Sequence, residues 1–192
     1  MLGGSFNPAH AGHRQISLAA LRLLALDEVW WLVSPQNPLK SASGMAPLAV
    51  RLASARAAAR HPRIRASSIE SALGTRFAAD TMRALRRRSP DARFVWLMGA
   101  DILPELHRWH DWRRFARTVA IAIVPRPGYD NASSRAMVWL KRFCRPAAEA
   151  AHWTRLSLPA IITLDLPRSG QSATAIRRAD PDWSRRWKGI HR

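Results

Sequence analysis

Two short stretches hold the residues most able to do chemistry. Gly3–His13 reads GGSFNPAHAGH. Its glycines allow a tight backbone and the close approach of a ligand, and Pro8 stiffens the turn. Gly12 and His13 then open a helix, whose N-terminus offers unpaired N–H groups and the positive end of a dipole. His10 and His13 add side-chain donors at the same spot, so the set suits a phosphate. The spacing is neither that of a Walker loop nor that of GxGxxG. Two other readings stand beside it. Histidines three apart can bind zinc, although a third ligand and the glutamate of HExxH are missing, and both rings could be structural. The second stretch, Ser169–Arg178, reads SGQSATAIRR. Ser172 and Thr174 stand where a helix would begin, with Arg177 about one turn inside. Hydroxyls and a guanidinium at a helix start form another phosphate cradle. The alternative is an ordinary N-cap followed by a surface arginine.

The elements that must position these residues alternate along the chain. Val29–Val33, Phe94–Gly99, Val119–Val124 and Ala160–Leu164 are short continuous apolar runs and read as buried strands. Gly12–Leu26, Leu48–Arg60 and Ala79–Arg88 read as helices, the last starting from an Asp or Thr. Buried strands alternating with helices predict a doubly wound α/β fold, a Rossmann-like parallel sheet with helices on both faces. A short helical part, residues 165–192, completes a single domain spanning 1–192. Ser34–Pro47 reads as a long, functional loop. Ligands bind such sheets at the carboxyl ends of the strands, where the strand order reverses. Gly3–His13, Gln36–Lys40, Gly99-Ala100-Asp101 and Arg126 all fall just after expected strands.

Composition narrows the classes. No apolar run is long enough to span a bilayer, and no signal-peptide pattern is present. The single cysteine, Cys144, excludes an internal disulfide and a cysteine-based zinc cage. It lies in a helix-like stretch among arginines. A cytoplasmic protein is the expectation. The net charge of +18 favours anionic partners. A basic RNA- or DNA-binding module would cluster that charge on one surface with exposed aromatics. Here the arginines are spread over the chain, with only Arg86-Arg87-Arg88 compact.

The two terminal stretches together carry a resemblance. GGSFNPAHAGH resembles the GGxFxPxHxGH signature of the nucleotidyltransferase superfamily that has an HxGH motif. SATAIR resembles its C-terminal (S/T)xTxxR signature, in the form found in bacterial nicotinate-nucleotide adenylyltransferases. Segments between them are also similar to that family: Gln36–Lys40, Gly74–Phe77 with Asp80-Thr81, Gly99–Asp101 with Trp109, and Arg126–Tyr129. The resemblance implies transfer of the adenylyl group of ATP to nicotinate mononucleotide, with Mg²⁺ and no covalent enzyme intermediate. The mononucleotide phosphate would attack the α-phosphorus in line, so positioning and charge stabilisation matter more than a base. The implied partners are ATP and nicotinate mononucleotide, with no nucleic acid and no membrane.

Site residues follow from the same resemblance. His10, His13 and Arg177 would be catalytic, stabilising charge on the transferring group and on pyrophosphate. Gly3, Gly4, Ser5, Phe6, Lys40, Gly99, Asp101, Ser172 and Thr174 would bind ATP, with the Asp101 carboxylate on ribose hydroxyls. Asn37, Thr75, Phe77, Ala78, Trp109, His110 and Arg126 would bind the mononucleotide. Trp109 would stack on the flat, cationic pyridine, with Trp112 as its competitor. Main-chain N–H groups near Phe77, Ala78 and His110 would receive the ring carboxylate. No residue is expected to bind a metal directly. Trp30 and Trp31, inside a strand, read as core.

The chain departs from the pattern in places. Phe77-Ala78 stands where the family has Tyr-Thr, which removes a hydroxyl near the ring carboxylate. Gln171 stands where an apolar residue is usual. Only Met1 and Leu2 precede Gly3, whereas a strand commonly has about five residues. The expectation is a shortened first strand and a natural start upstream. The nearest alternatives are a sister transferase taking nicotinamide mononucleotide, pantetheine phosphate or a CTP-derived reaction, and a family member that kept the fold and lost turnover.

Overall fold

The computed structural model describes residues 1–35, 44–129, 135–166 and 170–187. Seven strands form one sheet: β1 (Leu2–Gly4), β2 (Val29–Val33), β3 (Ile64–Ser67), β4 (Val95–Gly99), β5 (Ala120–Val124), β6 (Cys144–Arg145) and β7 (Ile161–Thr163). Every pairing is parallel, in the order β3-β2-β1-β4-β5-β7-β6. The order reverses between β1 and β4, which creates a crevice at their carboxyl ends. β1 pairs with β2 through Leu2↔Trp31, Gly3↔Leu32 and Gly4↔Val33, and with β4 through Leu2↔Leu97. Met1 extends its contacts: its amine donates to the carbonyl of Val95 at 2.7 Å, and its carbonyl accepts from Leu97 at 2.7 Å.

The helices are α1 (Ala11–Leu23), α2 (Leu48–Ala59), α3 (Ile69–Leu73), α4 (Ala78–Arg88), α5 (Trp112–Thr118), α6 (Arg135–Leu140) and α7 (Ala173–Ala179). They cover both faces, which is why the strands read as continuous apolar runs rather than as alternation. Along β4, Val95 and Leu97 join Leu21 of α1, Leu24 at its C-cap, and Ala55 and Ala59 of α2 in one core. Trp96 and Met98 point the other way, into a second core with Met82, Leu85, Phe115 and Leu140 of α4, α5 and α6. Among the described residues no helix is long and apolar enough to cross a membrane.

Three local expectations need correction. Cys144 lies in a two-residue edge strand, not in a helix, and it is exposed. The helix expected from Ala79 starts at Ala78 with Phe77 at its N-cap, and no side chain caps it; Asp80 sits within the first turn and pairs with Arg83. Trp31 is fully buried as expected, but Trp30 is half-buried and its indole donates to Glu28 at 2.6 Å.

Candidate active site

The Gly3–His13 stretch leaves the central strand and turns into α1 at the crevice. Two of its glycines are required by close approach. A Cβ on Gly3 would run into the indole of Trp96, and one on Gly12 would stand 2.9 Å from Nδ1 of His10. His10 is the N-cap of α1, and its main-chain N–H donates to Nδ1 of His13 at 3.2 Å. The two imidazoles lie 3.9 Å apart between ring centroids, and His13 also packs against Phe6 at 4.7 Å. Burial and the Arg126 guanidinium push His10 down to about 4. Burial, His10 and Arg126 push His13 down to about 3. Both rings are therefore neutral at pH 7.

The loop is braced from behind. The buried Arg51 of α2 donates from Nη1 to the carbonyls of Ser5 and Ser34, each at 2.7 Å. It also reaches Pro35 from Nη2 and Ala46 from Nε, each at 2.8 Å. Asn7, also buried, bonds Gly44 and Ala46 through its amide. These bonds tie both stems of the 36–43 segment to the glycine loop. Asn37 and Lys40, expected on that segment, lie outside the described residues.

The C-terminal stretch arrives opposite. Ser172 caps α7, its Oγ accepting from the N–H of Ala175 at 3.1 Å. Arg177 reaches back across the crevice and donates to the carbonyl of Asn7 at 2.6 Å and to Oγ1 of Thr174 at 3.2 Å. The two motifs, far apart in sequence, are thus bonded to each other. Arg126 lies between them and β4: it pairs with Asp101 at 3.5 Å and donates to the carbonyl of Gln171 at 3.3 Å.

Together these parts enclose a cavity of about 400 Å³ at the switch point. Gly3, Gly4, Ser5, Phe6, His10 and His13 line it on the loop side. Gly99, Asp101 and Arg126 stand at the ends of β4 and β5, and Ser172 and Thr174 close the C-terminal side. Phe77, Ala78, Trp109 and His110 form the far wall. Phe77 stacks on His110 at 4.4 Å, while Trp109 is held edge-on to Trp96 at 6.3 Å. Trp112 does not line the cavity; it pairs with Trp139 at 5.4 Å on α6. Two expected residues stand behind the wall rather than on it. Thr75 shares a hydrogen bond with Thr81, Oγ1 to Oγ1 at 2.9 Å, and Arg177 touches the cavity's frame through Asn7 and Thr174.

Three charged residues on the cavity were not among the expected site residues, although Arg76 lies in the Gly74–Phe77 segment: Glu70, Arg76 and Arg108. Glu70 is buried and accepts from the Thr81 hydroxyl at 3.2 Å. Burial pushes its carboxyl up to about 7. The sequence signal was present but faint: Arg76 and Arg108 each precede an aromatic that forms the far wall. Among the described residues no three His, Cys, Asp or Glu side chains converge as a metal cage. Among the described residues, Glu70 and Asp101 are the carboxylates that line the cavity.

Residues 1–179 match the family described as cytidylyltransferase-like. Among curated proteins, one of Erythrobacter litoralis named "Probable nicotinate-nucleotide adenylyltransferase" is 57% identical over 190 residues, 98% of this chain and 87% of the relative. One of the same name from Parvibaculum lavamentivorans is 53% identical over 188 residues, 97% and 93% of the two chains. Among solved structures, the fold is similar to Plasmodium falciparum nicotinic acid mononucleotide adenylyltransferase complexed with NaAD. The TM-score is 0.68 at 16% identity, covering 92% of this chain and 80% of the other.

Proposed function

This chain belongs to the cytidylyltransferase-like family, and from that premise we propose that it transfers the adenylyl group of ATP to nicotinate mononucleotide, giving nicotinate adenine dinucleotide and pyrophosphate. One observation supports this reading above the rest. The HxGH stretch, the Ser172–Thr174 stretch and an aromatic wall carrying Trp109 all open onto one cavity at the switch point.

The reaction forms a bond from a mononucleotide phosphate oxygen to the α-phosphorus and breaks the bond from that phosphorus to the β-phosphate bridge. The attacking oxygen is already ionised at neutral pH, so no base is required of the protein. Its contribution is alignment and charge stabilisation. His10 and His13 meet the triphosphate from the start of α1, where free main-chain N–H groups add to the imidazole donors. Ser172 and Thr174 meet it from the other side. Arg177 fixes the distance between the two sides by bonding Asn7 and Thr174.

Arg126 sits beside Asp101 and within electrostatic range of both histidines. In this reading it faces the transferring phosphate, between the subsites. Asp101 takes the ribose hydroxyls of ATP. The ATP phosphates would carry Mg²⁺, whose charge would offset theirs. Trp109 stacks on the pyridine, whose positive ring suits an indole face, and the main-chain N–H groups around Ala78 and His110 meet its substituent.

The test is pyrophosphate release from ATP and Mg²⁺ with nicotinate mononucleotide or nicotinamide mononucleotide. Release with the acid, faster than with the amide, is the expected result. No release with either substrate would defeat the proposal, and equal rates would defeat the acid preference.

A further inference from the structure

The far wall of the cavity is built from two short segments of similar design. Arg76 precedes Phe77 at the start of α4, and Arg108 ends a 3-10 turn, Leu106–Arg108, just before Trp109. The stacking of Phe77 on His110 brings the segments together. Both guanidiniums line the cavity there and remain solvated. Among the described residues neither has a carboxylate or carbonyl partner for its side chain, unlike Arg83, Arg114 and Arg185, which pair on their own helices or turns.

Two mononucleotides that differ only as carboxylate and carboxamide have nearly the same size and shape. Main-chain N–H groups bond the carbonyl oxygen of either one, so they discriminate weakly. Phe77 and Ala78 have no polar side-chain atom with which to separate them. What remains is charge, and two cations with no carboxylate partner among the described residues flank Phe77 and Trp109 on this wall.

Resting on the adenylyl-transfer reading, we propose that Arg76 and Arg108 form a cationic rim that selects the carboxylate-bearing pyridine mononucleotide over its carboxamide counterpart. A guanidinium pairs with a planar carboxylate through parallel N–H donors, whereas the amide offers one neutral oxygen and two donors that the rim repels. The only carboxyl on the same wall among the described residues is Glu70. It is buried, held by Thr81 and pushed up to about 7, so around neutrality it opposes the rim with less than a full charge.

The experiment is a fluorescence titration of the full chain with each mononucleotide, read through the tryptophans, beside the pyrophosphate assay. It is run for the wild type, Arg76→Gln, Arg108→Gln and the double variant, at low and high salt. The wild type should bind the acid more tightly than the amide. Each single change should cut the ratio of affinities by about fivefold, with amide binding and ATP binding little changed. Added salt should shrink the wild-type ratio, since the rim is solvated. An unchanged ratio in a folded double variant would overturn the rim while leaving the reaction intact. A wild type that binds neither mononucleotide and releases no pyrophosphate would overturn the reaction reading, and the rim with it.

Discussion

The main-chain N–H of His10 donates to Nδ1 of His13 at 3.2 Å. An Nδ1 that accepts carries no proton, so the neutral His13 ring holds its proton on Nε2. The N-cap of α1 therefore sets the tautomer of the second histidine and fixes its free donor. Gly12 is needed for this arrangement, because any side chain there would meet the His10 ring. The spacing of HxGH thus holds the two imidazoles side by side and leaves Nε2 of His13 as the protonated nitrogen.

If Nε2 of His13 is the working donor, amide replacements should rank by geometry. His13→Gln places an N–H₂ near the position of Nε2, whereas His13→Asn imitates only Nδ1. Turnover should fall by about 10²–10³-fold for His13→Ala, with Gln retaining more activity than Asn. Steady-state rates of pyrophosphate release check the order. A fully active His13→Ala would make the ring structural, and Asn above Gln would refute the tautomer argument.

The lowered histidines give a signed pH dependence. Folded values of about 4 and about 3 lie below the ordinary 6.5. The unfolded chain therefore binds more protons between these limits, and stability falls as pH drops from 6.5 toward 3. Above 6.5 the two rings contribute no slope. A bound triphosphate should reverse the preference, because it favours the imidazolium. ATP binding at pH 6 should then take up protons, measurable by calorimetry in two buffers of different ionisation enthalpy. Proton release on binding would contradict the assignment of these rings to the phosphate side.

Arg51 has no carboxylate partner among the described residues, yet its guanidinium makes four hydrogen bonds to carbonyls. Arg51→Met keeps much of the volume and leaves half-buried acceptors at Ser5, Ser34, Pro35 and Ala46 without this donor. The expected cost is about 3–5 kcal/mol of unfolding free energy. Lysine cannot fork to these directions at once and should recover only part of it. Denaturant unfolding tests the ranking, and a Met variant as stable as wild type would show that water replaces the guanidinium.

What the sequence disclosed follows from burial. β2, β4 and β5 are covered on both faces, so their apolar runs stand out. β3 is at the sheet edge, with Arg65 exposed and paired to Glu28, and its mixed composition hides it. β6 at the other edge has two exposed residues and no apolar signal at all. At the site, the two terminal stretches were legible because glycine, histidine and hydroxyl residues are unusual in such density. Arg108 was lost among many arginines and Arg76 was legible only as part of the Gly74–Phe77 segment, since only the fold brings them to one wall. For Thr75 the converse holds: nothing local reveals that its hydroxyl turns to Thr81.

Glu70 provides the last test, because its sign is opposite to that of the histidines. Its carboxyl is raised to about 7 by burial, with the Thr81 hydroxyl opposing that rise. Between its ordinary value of 4.5 and about 7, the folded state keeps a proton that the unfolded chain has released. Its contribution is complete below 4.5 and is lost as pH rises through 7. Glu70→Gln replaces the acid by a neutral group of the same shape that can still meet Thr81. The variant should gain about 1–3 kcal/mol relative to wild type at pH 8 and little at pH 5. Stability curves for both proteins at the two pH values decide it. A variant destabilised equally at both would mean that the charge is satisfied by the cavity, and that Glu70 works as an anion there.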